Sequence, residues 1–541
     1  MKLTRREFIR TVGATAGAAV VADLLGAPGV WTVQRLEAAP LTPGEMKALA
    51  DVALNKAKGL GCSYADIRIN RYRNQVVSLS TRPDRGPGMM SGKVNHVPAV
   101  IESENFGFGV RVLHSGTWGF AASPRVNKDE IARVTAEAVG IAKANAALQK
   151  RPVQLAPVPA YQDRYVTPFE KNPFDVPIQD KLGLLQSVHE AARKTQGVMG
   201  VNSSLVFRSE DKYFASTEGS YIQQLLMQTA PSFAASAVDF MTRKSKSRSF
   251  QIQPMTAGYE HVERCGMLEN AERVGAEAVE HLAAPSVEPG VKDLVLLPSH
   301  LALTIHESIG HSTELDRALG YEANFAGTSF LAPPEKVLGK MQVGAKLVNI
   351  VGDRTLPQAM ATCGYDDDGV KTTSFDILKE GVFVGYQTIR DQAHLVGEQA
   401  SRGCCNADSF DSIPFQRMPN VWLKPGPEGT SLDDLIAQVQ DGILIDGRGS
   451  YSIDQQRYNF QFGGDAFWEI KGGRKGRMLA DVAYQARTPD FWGACAAIAD
   501  QRFWQNFGLT NDGKGQPGQS NAMSHGCSPT LFRGINVLRT E

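Results

Sequence analysis

Alternating apolar and polar positions dominate the first third of the chain and predict β-strands. Apolar residues recur at every second position over residues 62–79, and the alternation in residues 106–113 and 118–122 flanks a His-Ser-Gly-Thr turn, which predicts a hairpin. Helical spacing over residues 42–58 precedes these strands and begins with Thr-Pro. Together these elements predict an N-terminal α+β domain over residues 41–150.

A second α+β unit is predicted beyond a Pro-rich stretch, residues 152–177, which is typical of a linker. Helical spacing over residues 178–194 and 262–282 flanks four short alternating stretches. These four predicted strands cover residues 203–208, 212–217, 220–227 and 233–240. The unit is a predicted central domain over residues 151–290.

Short strands broken by Gly, Pro and Asp turns fill most of the remaining chain and predict a C-terminal domain over residues 291–541. An apolar run over residues 291–298 predicts a buried strand, and Ser299 is a suitable N-cap for the apolar helix that follows. The predicted fold class is therefore α+β. Two N-terminal α+β domains precede a domain that is rich in antiparallel sheet and carries this helix.

The predicted helix ends in the motif His306-Glu307-Ser308-Ile309-Gly310-His311. Imidazole nitrogens bind zinc, and a carboxylate beside them can accept a proton from an activated water. The common H-E-x-x-H spacing places both rings on one helix face. Residues five apart are instead separated by about 140° on a regular helix. The helix is therefore predicted to unwind or bulge between the rings, most easily at Gly310.

The motif also has an ordinary interpretation, because Glu307, His311 and Glu314 would form a polar stripe on a solvated helix. The apolar residues just before His306 argue against it, since a polar group at the end of a buried helix is typical of an active-site floor. We therefore assign His306 and His311 as metal ligands and Glu307 as the catalytic base.

A catalytic zinc site usually has a third protein ligand, and the candidates lie near the C-terminus. Asp512 opens a Gly-rich turn, while His525 and Cys527 offer nitrogen and sulfur. Asp-Gly is also common in ordinary turns. The Gly-Lys-Gly sequence that follows lacks the spacing of a phosphate-binding loop. The residues alone leave the third ligand open.

Beyond its first 40 or so residues, the chain resembles the TldD/PmbA metallopeptidase family over nearly its whole length. The resemblance rests on the motif His306 to His311 after a strand and on several further short sequences. These are Tyr365-Asp366-Asp367-Asp368-Gly369, Arg417-Met418-Pro419-Asn420 with Lys424-Pro425-Gly426, Gly513-Lys514-Gly515-Gln516, and Ser524-His525-Gly526 with Pro529-Thr530.

This resemblance implies an α+β subunit that dimerises, with itself or with a paralogous subunit, around a chamber where peptides are cleaved. It implies Zn²⁺ held by His306, His311 and a distant cysteine. The position of that cysteine is Asp512 in this chain. A carboxylate is a competent zinc ligand, so we predict Asp512 as the third ligand, with Cys527 as the alternative.

The predicted function is zinc-dependent hydrolysis of peptide bonds in peptides or unfolded segments. His525 is a candidate for stabilising an oxyanion, and Arg402 and Arg417 are candidates for orienting the substrate. Two alternatives stay open. One is a catalytically weak or inactive regulatory subunit of a TldD/PmbA-type complex. The other is a secreted binding module with a structural metal that both Asp512 and Cys527 would close.

The N-terminus predicts export, because residues 4–10, Thr-Arg-Arg-Glu-Phe-Ile-Arg, match a twin-arginine pattern. The Ala/Gly-rich run that follows, residues 11–22, is too short to span a bilayer. We expect residues 1–40 to be a signal segment and the mature protein to be periplasmic or extracellular.

The composition argues against several other classes of protein. The chain has 57 basic and 57 acidic residues, so no basic field predicts nucleic-acid binding. No later segment predicts an integral membrane span. Seven cysteines are an odd and sparse set, which is not typical of a disulfide-stabilised scaffold.

Overall fold

The computed structural model describes residues 19–21, 32–34, 41–83 and 94–540. The twin-arginine pattern at residues 4–10 lies outside these ranges. Within the first 40 residues, β1 (Ala19–Val21) and β2 (Thr32–Gln34) pair in antiparallel fashion.

A seven-stranded sheet organises the N-terminal half. Its strands are β3 (Tyr64–Pro83), β4 (Val94–His114), β5 (Thr117–Ser123), β6 (Gln162–Val166), β7 (Val198–Ser216), β8 (Tyr221–Asp239) and β9 (Lys244–Ser249). They lie in the order β5-β4-β3-β7-β8-β6, and β9 also pairs with β8. The sheet takes strands from both sides of the boundary predicted at residue 150. The segment predicted as a linker contributes β6, which pairs parallel to β8.

Helices cover this sheet in two separate groups. They are α1 (Pro43–Gly59), α2 (Lys128–Asn145), α3 (Ile178–Ala192), α4 (Glu260–Arg264) and α5 (Ala271–Ala283). The cluster that includes α1 and α2 contains Ile67 of β3, and the cluster that includes α3 and α5 contains Val77 of the same strand. Residues an even number apart on a strand share a face. Two apolar cores therefore lie at opposite ends of one sheet face.

Strands β7 and β8 are each continuous over 19 residues, whereas the sequence pattern predicted two shorter strands in place of each. The prediction was wrong because polar residues or a proline interrupt the apolar alternation without interrupting the strand. The interruptions are residues 209–211 in β7 and residues 228–232, which include Pro231, in β8. Next to the first of them, the amino group of Lys212 is buried and bonded to Asp367 Oδ1 at 2.6 Å. A polar residue in a long strand was accommodated by a partner from another part of the chain.

The C-terminal region is built mainly of short strands. They are β10 (Gly290–Leu296), β11 (Ile350–Asp353), β12 (Ser374–Lys379), β13 (Val382–Phe383), β14 (Cys405–Asn406), β15 (Phe415–Gln416), β16 (Asn420–Leu423), β17 (Asp441–Asp446), β18 (Tyr451–Ile453), β19 (Asn459–Gly463), β20 (Ala466–Lys471), β21 (Arg474–Leu479), β22 (Val482–Arg487), β23 (Cys495–Ile498), β24 (Gln505–Lys514), β25 (Gln519–Cys527) and β26 (Thr530–Arg539). The α-helices are α6 (Pro298–Ile305), α7 (Leu315–Ala318), α8 (Pro334–Val337), α9 (Leu432–Ala437) and α10 (Thr488–Gly493).

A nine-stranded sheet forms the centre of this region, in the order β18-β19-β22-β26-β10-β17-β20-β21, with β23 also paired to β26. Its pairs are antiparallel except for β10 with β17. A four-stranded sheet, β13-β12-β11-β16, and the hairpin of β24 and β25 complete the walls around α6. The predicted α+β class, with a C-terminal region rich in antiparallel sheet, is confirmed. Among the described residues, no helix combines the length and apolar character needed to cross a bilayer.

Candidate metal centre

The motif helix is buried along its whole length. All eight residues of α6 are buried, and the helix contacts both β24 and β25. Its first residue is Pro298, so the prediction of Ser299 as N-cap is wrong. The Ser299 hydroxyl donates instead to a carboxylate oxygen of Asp446, and proline at the first helical position needs no N–H partner.

The helix widens across the motif, as the five-residue spacing requires. Residues 306–310 form a π-turn, and the backbone N–H of His311 donates to the carbonyl of His306. An i→i+5 hydrogen bond closes a wider turn than an α-helix does. Both imidazoles therefore project to the same side, with their ring centroids 4.5 Å apart. The predicted break in the helix is confirmed.

Gly310 suits this turn because its surroundings leave little room for a side chain. A Cβ there would lie 2.6 Å from the sulfur of Met418. The Gly310 carbonyl accepts a hydrogen bond from Gln387 Nε2 at 2.6 Å, and the same nitrogen lies 2.9 Å from Thr313 Oγ1. The widened backbone is thus supported from outside the helix.

Three buried side chains from distant parts of the chain converge beside the π-turn. His306 Nε2 lies 3.5 Å from Asp512 Oδ1, and His311 Nε2 lies 3.4 Å from the same oxygen. One possible ligand atom from each of the three residues lies within 4.8 Å of the others. The structure therefore brings together His306, His311 and Asp512, the three residues predicted as ligands.

This spacing fits a zinc ion. Two atoms bound tetrahedrally at about 2.0–2.1 Å from one ion are about 3.3–3.4 Å apart. The separations of 3.4 and 3.5 Å between the imidazole nitrogens and the carboxylate oxygen match that value. Two imidazoles and a carboxylate are also a ligand set of catalytic zinc sites, in which the fourth position is kept for water or substrate.

A further histidine fixes the tautomer of His306. His525 Nδ1 lies 3.0 Å from the carbonyl oxygen of Val421, and His525 Nε2 lies 2.9 Å from His306 Nδ1. Because a carbonyl only accepts, His525 Nδ1 carries the hydrogen and His525 Nε2 accepts from His306 Nδ1–H. His306 Nε2 then keeps its lone pair for a metal. Both ring nitrogens of His525 are engaged, so it orients a predicted ligand and leaves no N–H for the oxyanion role predicted for it.

A carboxylate does the same for His311. Glu314 Oε2 lies 2.9 Å from His311 Nδ1, and Arg317 approaches the same nitrogen at 3.3 Å. The shorter contact with the carboxylate assigns the hydrogen to Nδ1. Burial raises the pKa of Glu314, but the cations of Lys514 and Arg317 outweigh it and hold that pKa well below its usual range. Glu314 therefore stays an acceptor, and His311 Nε2 keeps its lone pair toward Asp512.

The hairpin of β24 and β25 holds Asp512 in place. Arg417, a candidate for substrate orientation, is buried and donates to the Asp512 carbonyl at 2.5 Å and to Asp512 Oδ2 at 3.2 Å. It therefore braces a predicted ligand. Two residues further on, Lys514 Nζ lies 3.1 Å from Glu314 Oε1 and 2.9 Å from Asp316 Oδ1. These contacts tie the hairpin to the segment after the motif.

The electrostatics of the site favour a positive charge between the ligands. Burial raises the pKa of Asp512, but the imidazoles of His311 and His306 lower it more, so the pKa lies well below its usual range. Burial lowers the pKa of His311, yet the Asp512 carboxylate reverses this effect and raises it overall. A proton or a metal cation at this position is stabilised for the same electrostatic reason.

Glu307, the predicted base, forms an ion pair with Arg457. Arg457 follows β18 by four residues and lies 150 residues beyond Glu307 in the chain. Its charge also lowers the pKa of His311, so it acts on the metal centre as well. No sequence pattern indicated a role for this residue, which stands in an ordinary Gln-Gln-Arg turn.

Two other residues singled out in the sequence lie elsewhere. Cys527 is buried, with its sulfur 3.8 Å from the carbonyl oxygen of Pro298. Pro298 is eight residues before His306, which is about 12 Å along the helix. Arg402 pairs with Glu398 at 2.9 Å, and its side chain is 36% exposed. Cys527 thus packs at the far end of the motif helix, and Arg402 forms a surface ion pair.

Comparison with known proteins decides the family. The PmbA/TldA metallopeptidase C-terminal domain matches residues 289–538, and domain 1 of the same metallopeptidases matches residues 95–142, together more than half of the chain. The chain belongs to the TldD/PmbA metallopeptidase family. This membership confirms the resemblance drawn from the sequence and the predicted enzyme class, metallopeptidase.

Relatives extend the match over most of this TldD/PmbA chain. A metalloprotease of Methanothermobacter thermautotrophicus is 29% identical over 420 residues, which cover 78% of this chain and 84% of the relative. A zinc metalloprotease TldD homologue of Saccharolobus solfataricus is 20% identical over 481 residues, which cover 87% of this chain and 96% of the relative.

Solved structures share the TldD/PmbA fold. A candidate modulator of a DNA gyrase from Thermotoga maritima superposes with a TM-score of 0.69 at 16% identity, over 92% of this chain and all of that one. TldE from Thermococcus kodakarensis gives a TM-score of 0.64 at 14% identity, over 91% of this chain and 99% of that one. Identities this low show likeness of fold alone.

Proposed function

We propose that this protein is a zinc-dependent peptidase that hydrolyses peptide bonds in peptides or unfolded segments. The observation that carries the proposal is the convergence of His306 Nε2, His311 Nε2 and Asp512 Oδ1 directly beside Glu307. Family membership and the zinc metalloprotease among the relatives support it.

Zinc suits the ligand set better than the larger and harder cations do, because two of the three ligand atoms are imidazole nitrogens. Bound there, zinc would polarise the scissile carbonyl and lower the pKa of a water molecule toward neutrality. Asp512 takes the place of the cysteine that the family resemblance implies. A carboxylate, unlike a thiolate, is not oxidised outside the cytoplasm.

Glu307 performs the proton transfers of the proposed reaction. As the water oxygen bonds to the carbonyl carbon, Glu307 takes one proton, and the carbonyl oxygen receives the π-electron pair. When that pair re-forms the C=O bond, the C–N bond breaks and Glu307 delivers its proton to the departing nitrogen. Meanwhile, Glu314 and His525 keep the two imidazoles in the tautomers that leave Nε2 unprotonated.

An extended peptide is the proposed substrate, because the third ligand lies on a β-strand that borders a cavity. A polar cavity of about 420 Å³ separates the N-terminal sheet from the hairpin of β24 and β25. Arg208 crosses between the two, donating to the carbonyl of Thr510 at 3.0 Å and to Asn511 Oδ1 at 3.0 Å. A substrate bound as an added strand would use backbone hydrogen bonds and so accept many sequences.

Export and pairing complete the proposal. The twin-arginine pattern supports transport of the folded protein to the periplasm or the outside of the cell, with residues 1–40 as its signal segment. The structural likeness to TldE supports assembly as a homodimer or with a paralogous subunit. Both are testable by fractionation of the producing cells and by the mass of the purified protein in solution.

The decisive experiment compares the wild type with Glu307→Gln and Asp512→Ala. We expect Glu307→Gln to slow hydrolysis of labelled β-casein, an unfolded protein, by about 10²–10⁴-fold while zinc per chain stays unchanged. Asp512→Ala should lose stoichiometric zinc. Hydrolysis that survives Glu307→Gln would contradict the assigned base. A wild type that never holds zinc would favour the inactive regulatory subunit instead.

A further inference from the structure

Arg457 uses only part of its hydrogen-bonding capacity. One terminal nitrogen, Nη1, contacts Glu307 Oε2. Its Nε is buried and has no hydrogen-bond partner among the described residues. Only 13% of the Arg457 side chain is exposed. A buried N–H without a partner costs about 1–3 kcal/mol. The position thus keeps an unsatisfied donor next to the proposed base.

The neighbouring Arg317 shows what a purely structural arginine looks like in this site. Its Nε donates to Glu314 at 3.1 Å and its Nη1 to the carbonyl of Ala326 at 2.5 Å, while Nη2 lies 3.3 Å from His311. Two of the three nitrogens of Arg317 thus donate to acceptors of the protein. Arg457 donates through one nitrogen only, and that bond goes to the proposed base.

The backbone holds Arg457 in an unfavourable conformation. Its φ is +64°, a left-handed value that costs a non-glycine residue about 1–2 kcal/mol. The amide of Arg457 donates to the carbonyl of Asp454 at 3.0 Å, and its carbonyl accepts from Thr488 Oγ1 at 2.8 Å. Thr328 N and the carbonyl of Gln455 are also 2.8 Å apart. Contacts from three segments therefore hold the backbone of the turn from which Arg457 reaches Glu307.

This placement puts the free donor near the reacting atoms. A general base works within about 2.6–3.2 Å of the water it deprotonates. Arg457 contacts Oε2 of Glu307, and Oε1 makes no hydrogen bond with the described residues, so Oε1 is available to the water. The guanidinium therefore lies beside the carboxylate that would contact the attacking water, and its Nη2 also makes no hydrogen bond with the described residues.

We propose that Arg457 is a catalytic residue whose free N–H donates to the oxyanion that forms on the scissile carbonyl. The inference rests on the proposed peptidase function and adds a group to it. The oxyanion develops only as water adds to the carbonyl carbon. It would then accept the hydrogen bond that Arg457 lacks. A pre-positioned donor of this kind typically contributes about 10²–10³-fold in kcat.

The test compares the zinc-loaded wild type with Arg457→Ala, Arg457→Gly and Arg457→Lys. We expect Arg457→Ala to lower kcat on labelled β-casein by about 10²–10³-fold with little change in KM. Affinity for a phosphinic peptide, which mimics the tetrahedral oxyanion, should fall by a similar factor in titration calorimetry, with zinc per chain unchanged. Free guanidinium at low concentration should partly restore the rate of Arg457→Ala.

Two controls separate the oxyanion role from a structural one. Glycine tolerates the positive φ, so Arg457→Gly should unfold at a higher temperature than Arg457→Ala and yet be equally slow. Arg133→Ala, on the exposed face of α2, should match the wild type in every assay. Arg457→Lys should keep part of the activity, because it keeps a charge but loses the planar fork.

Several results would overturn the inference. One is an unchanged kcat, or an unchanged affinity for the phosphinic peptide, in Arg457→Ala. Another is a loss of activity in Arg457→Ala that is seen only with peptides that have a free terminal carboxylate and not with their amides. If Glu307→Gln is inactive while Arg457→Ala is not, the inference fails and the peptidase function stands. If Glu307→Gln remains active, the proposed function itself fails. Calorimetry with the phosphinic peptide reports on Arg457 even for a substrate that is cleaved slowly.

Discussion

Two groups of buried ionisable side chains in the described part of this protein are arranged in opposite ways. The interface charge cluster consists of Asp66, Arg111, Lys212, Asp367 and Asp368, and it joins the N-terminal sheet to the loop after β11. In it, Arg111 Nη2 lies 2.7 Å from both Asp66 Oδ2 and Asp368 Oδ1, and Lys212 Nζ lies 2.6 Å from Asp367 Oδ1. Each carboxylate therefore has a cation beside it.

The metal-site cluster, His306, His311 and Asp512, directs three acceptor atoms toward one point. Outside that point each residue is satisfied: His306 by His525, His311 by Glu314 and Asp512 by Arg417. Burial alone therefore does not distinguish a functional cluster from a structural one. The distinguishing feature is that acceptors converge where no described residue supplies a donor, which is the geometry a bound cation completes.

The interface charge cluster gives the largest predicted effect. Arg111→Met removes the cation shared by Asp66 and Asp368 and leaves two buried carboxylates with reduced compensation. We expect unfolding by denaturant to show a loss of about 3–5 kcal/mol. Zinc per chain should not change, because no ligand or ligand partner is touched.

An exposed ion pair provides the matched control for Arg111→Met. Arg133 on α2 pairs with Glu130 and Glu137, and 58% of its side chain is exposed. Arg133→Met should leave the denaturant midpoint unchanged, because solvent screens such pairs. A loss of zinc in Arg111→Met, or equal destabilisation by both variants, would contradict the distinction between the two clusters.

A second prediction uses His300, which lies on the motif helix but is fully satisfied. Its Nδ1 lies 2.8 Å from the carbonyl oxygen of Gly447 and its Nε2 lies 2.9 Å from the Tyr484 hydroxyl. Burial lowers the pKa of His300 to about 4, against about 6.5 in an unfolded chain. Between those pH values the unfolded state binds a proton that the folded state does not.

Stability linked to His300 is therefore complete above about pH 6.5 and is lost as the pH falls toward 4, by up to about 3 kcal/mol. We expect His300→Gln to reduce the acid destabilisation of the protein, measured as the change in denaturant midpoint from pH 7 to pH 4.5. Both proteins are compared with a chelator present, so that metal release does not contribute. The same pH dependence in variant and wild type would show that His300 is not a neutral buried residue.

Some of the fold could be predicted from local signals. The hairpin of β4 and β5 was recognised from the apolar alternation on both sides of its turn, and in the structure the two turn residues, Ser115 and Gly116, have φ values of 53° and 73°. The continuity of β7 was missed because Ser209-Glu210-Asp211 breaks the alternation, and Glu210 is accommodated by a hydrogen bond from Asn70, 140 residues away in the chain. Local alternation cannot report a partner that only the folded chain supplies.

The same distinction applies to the site. His306, Glu307 and His311 are adjacent in sequence, and their spacing alone predicted the break in the helix. The residues alone made Asp512 one of three candidates, and only the family resemblance selected it, since an Asp-Gly pair has no distinctive local pattern. Arg457 was missed altogether, because its contact with Glu307 joins residues 150 apart and no spacing encodes it. Residue roles that arise from convergence are visible only in three dimensions.

The smallest predicted effect concerns the partner of a ligand rather than a ligand itself. His525→Phe keeps a ring of similar size but removes the acceptor for His306 Nδ1–H, so His306 is no longer held in one tautomer and orientation. Loss of such a partner typically weakens metal binding by about 10–100-fold. Competition for zinc against a fluorescent chelator would measure this, and circular dichroism would check that the fold is intact.

His525→Gln can still accept through its amide oxygen and should bind zinc more tightly than His525→Phe. If both variants bind zinc as the wild type does, then His525 only fills space, and the metal-site cluster does not depend on its hydrogen bond with His306.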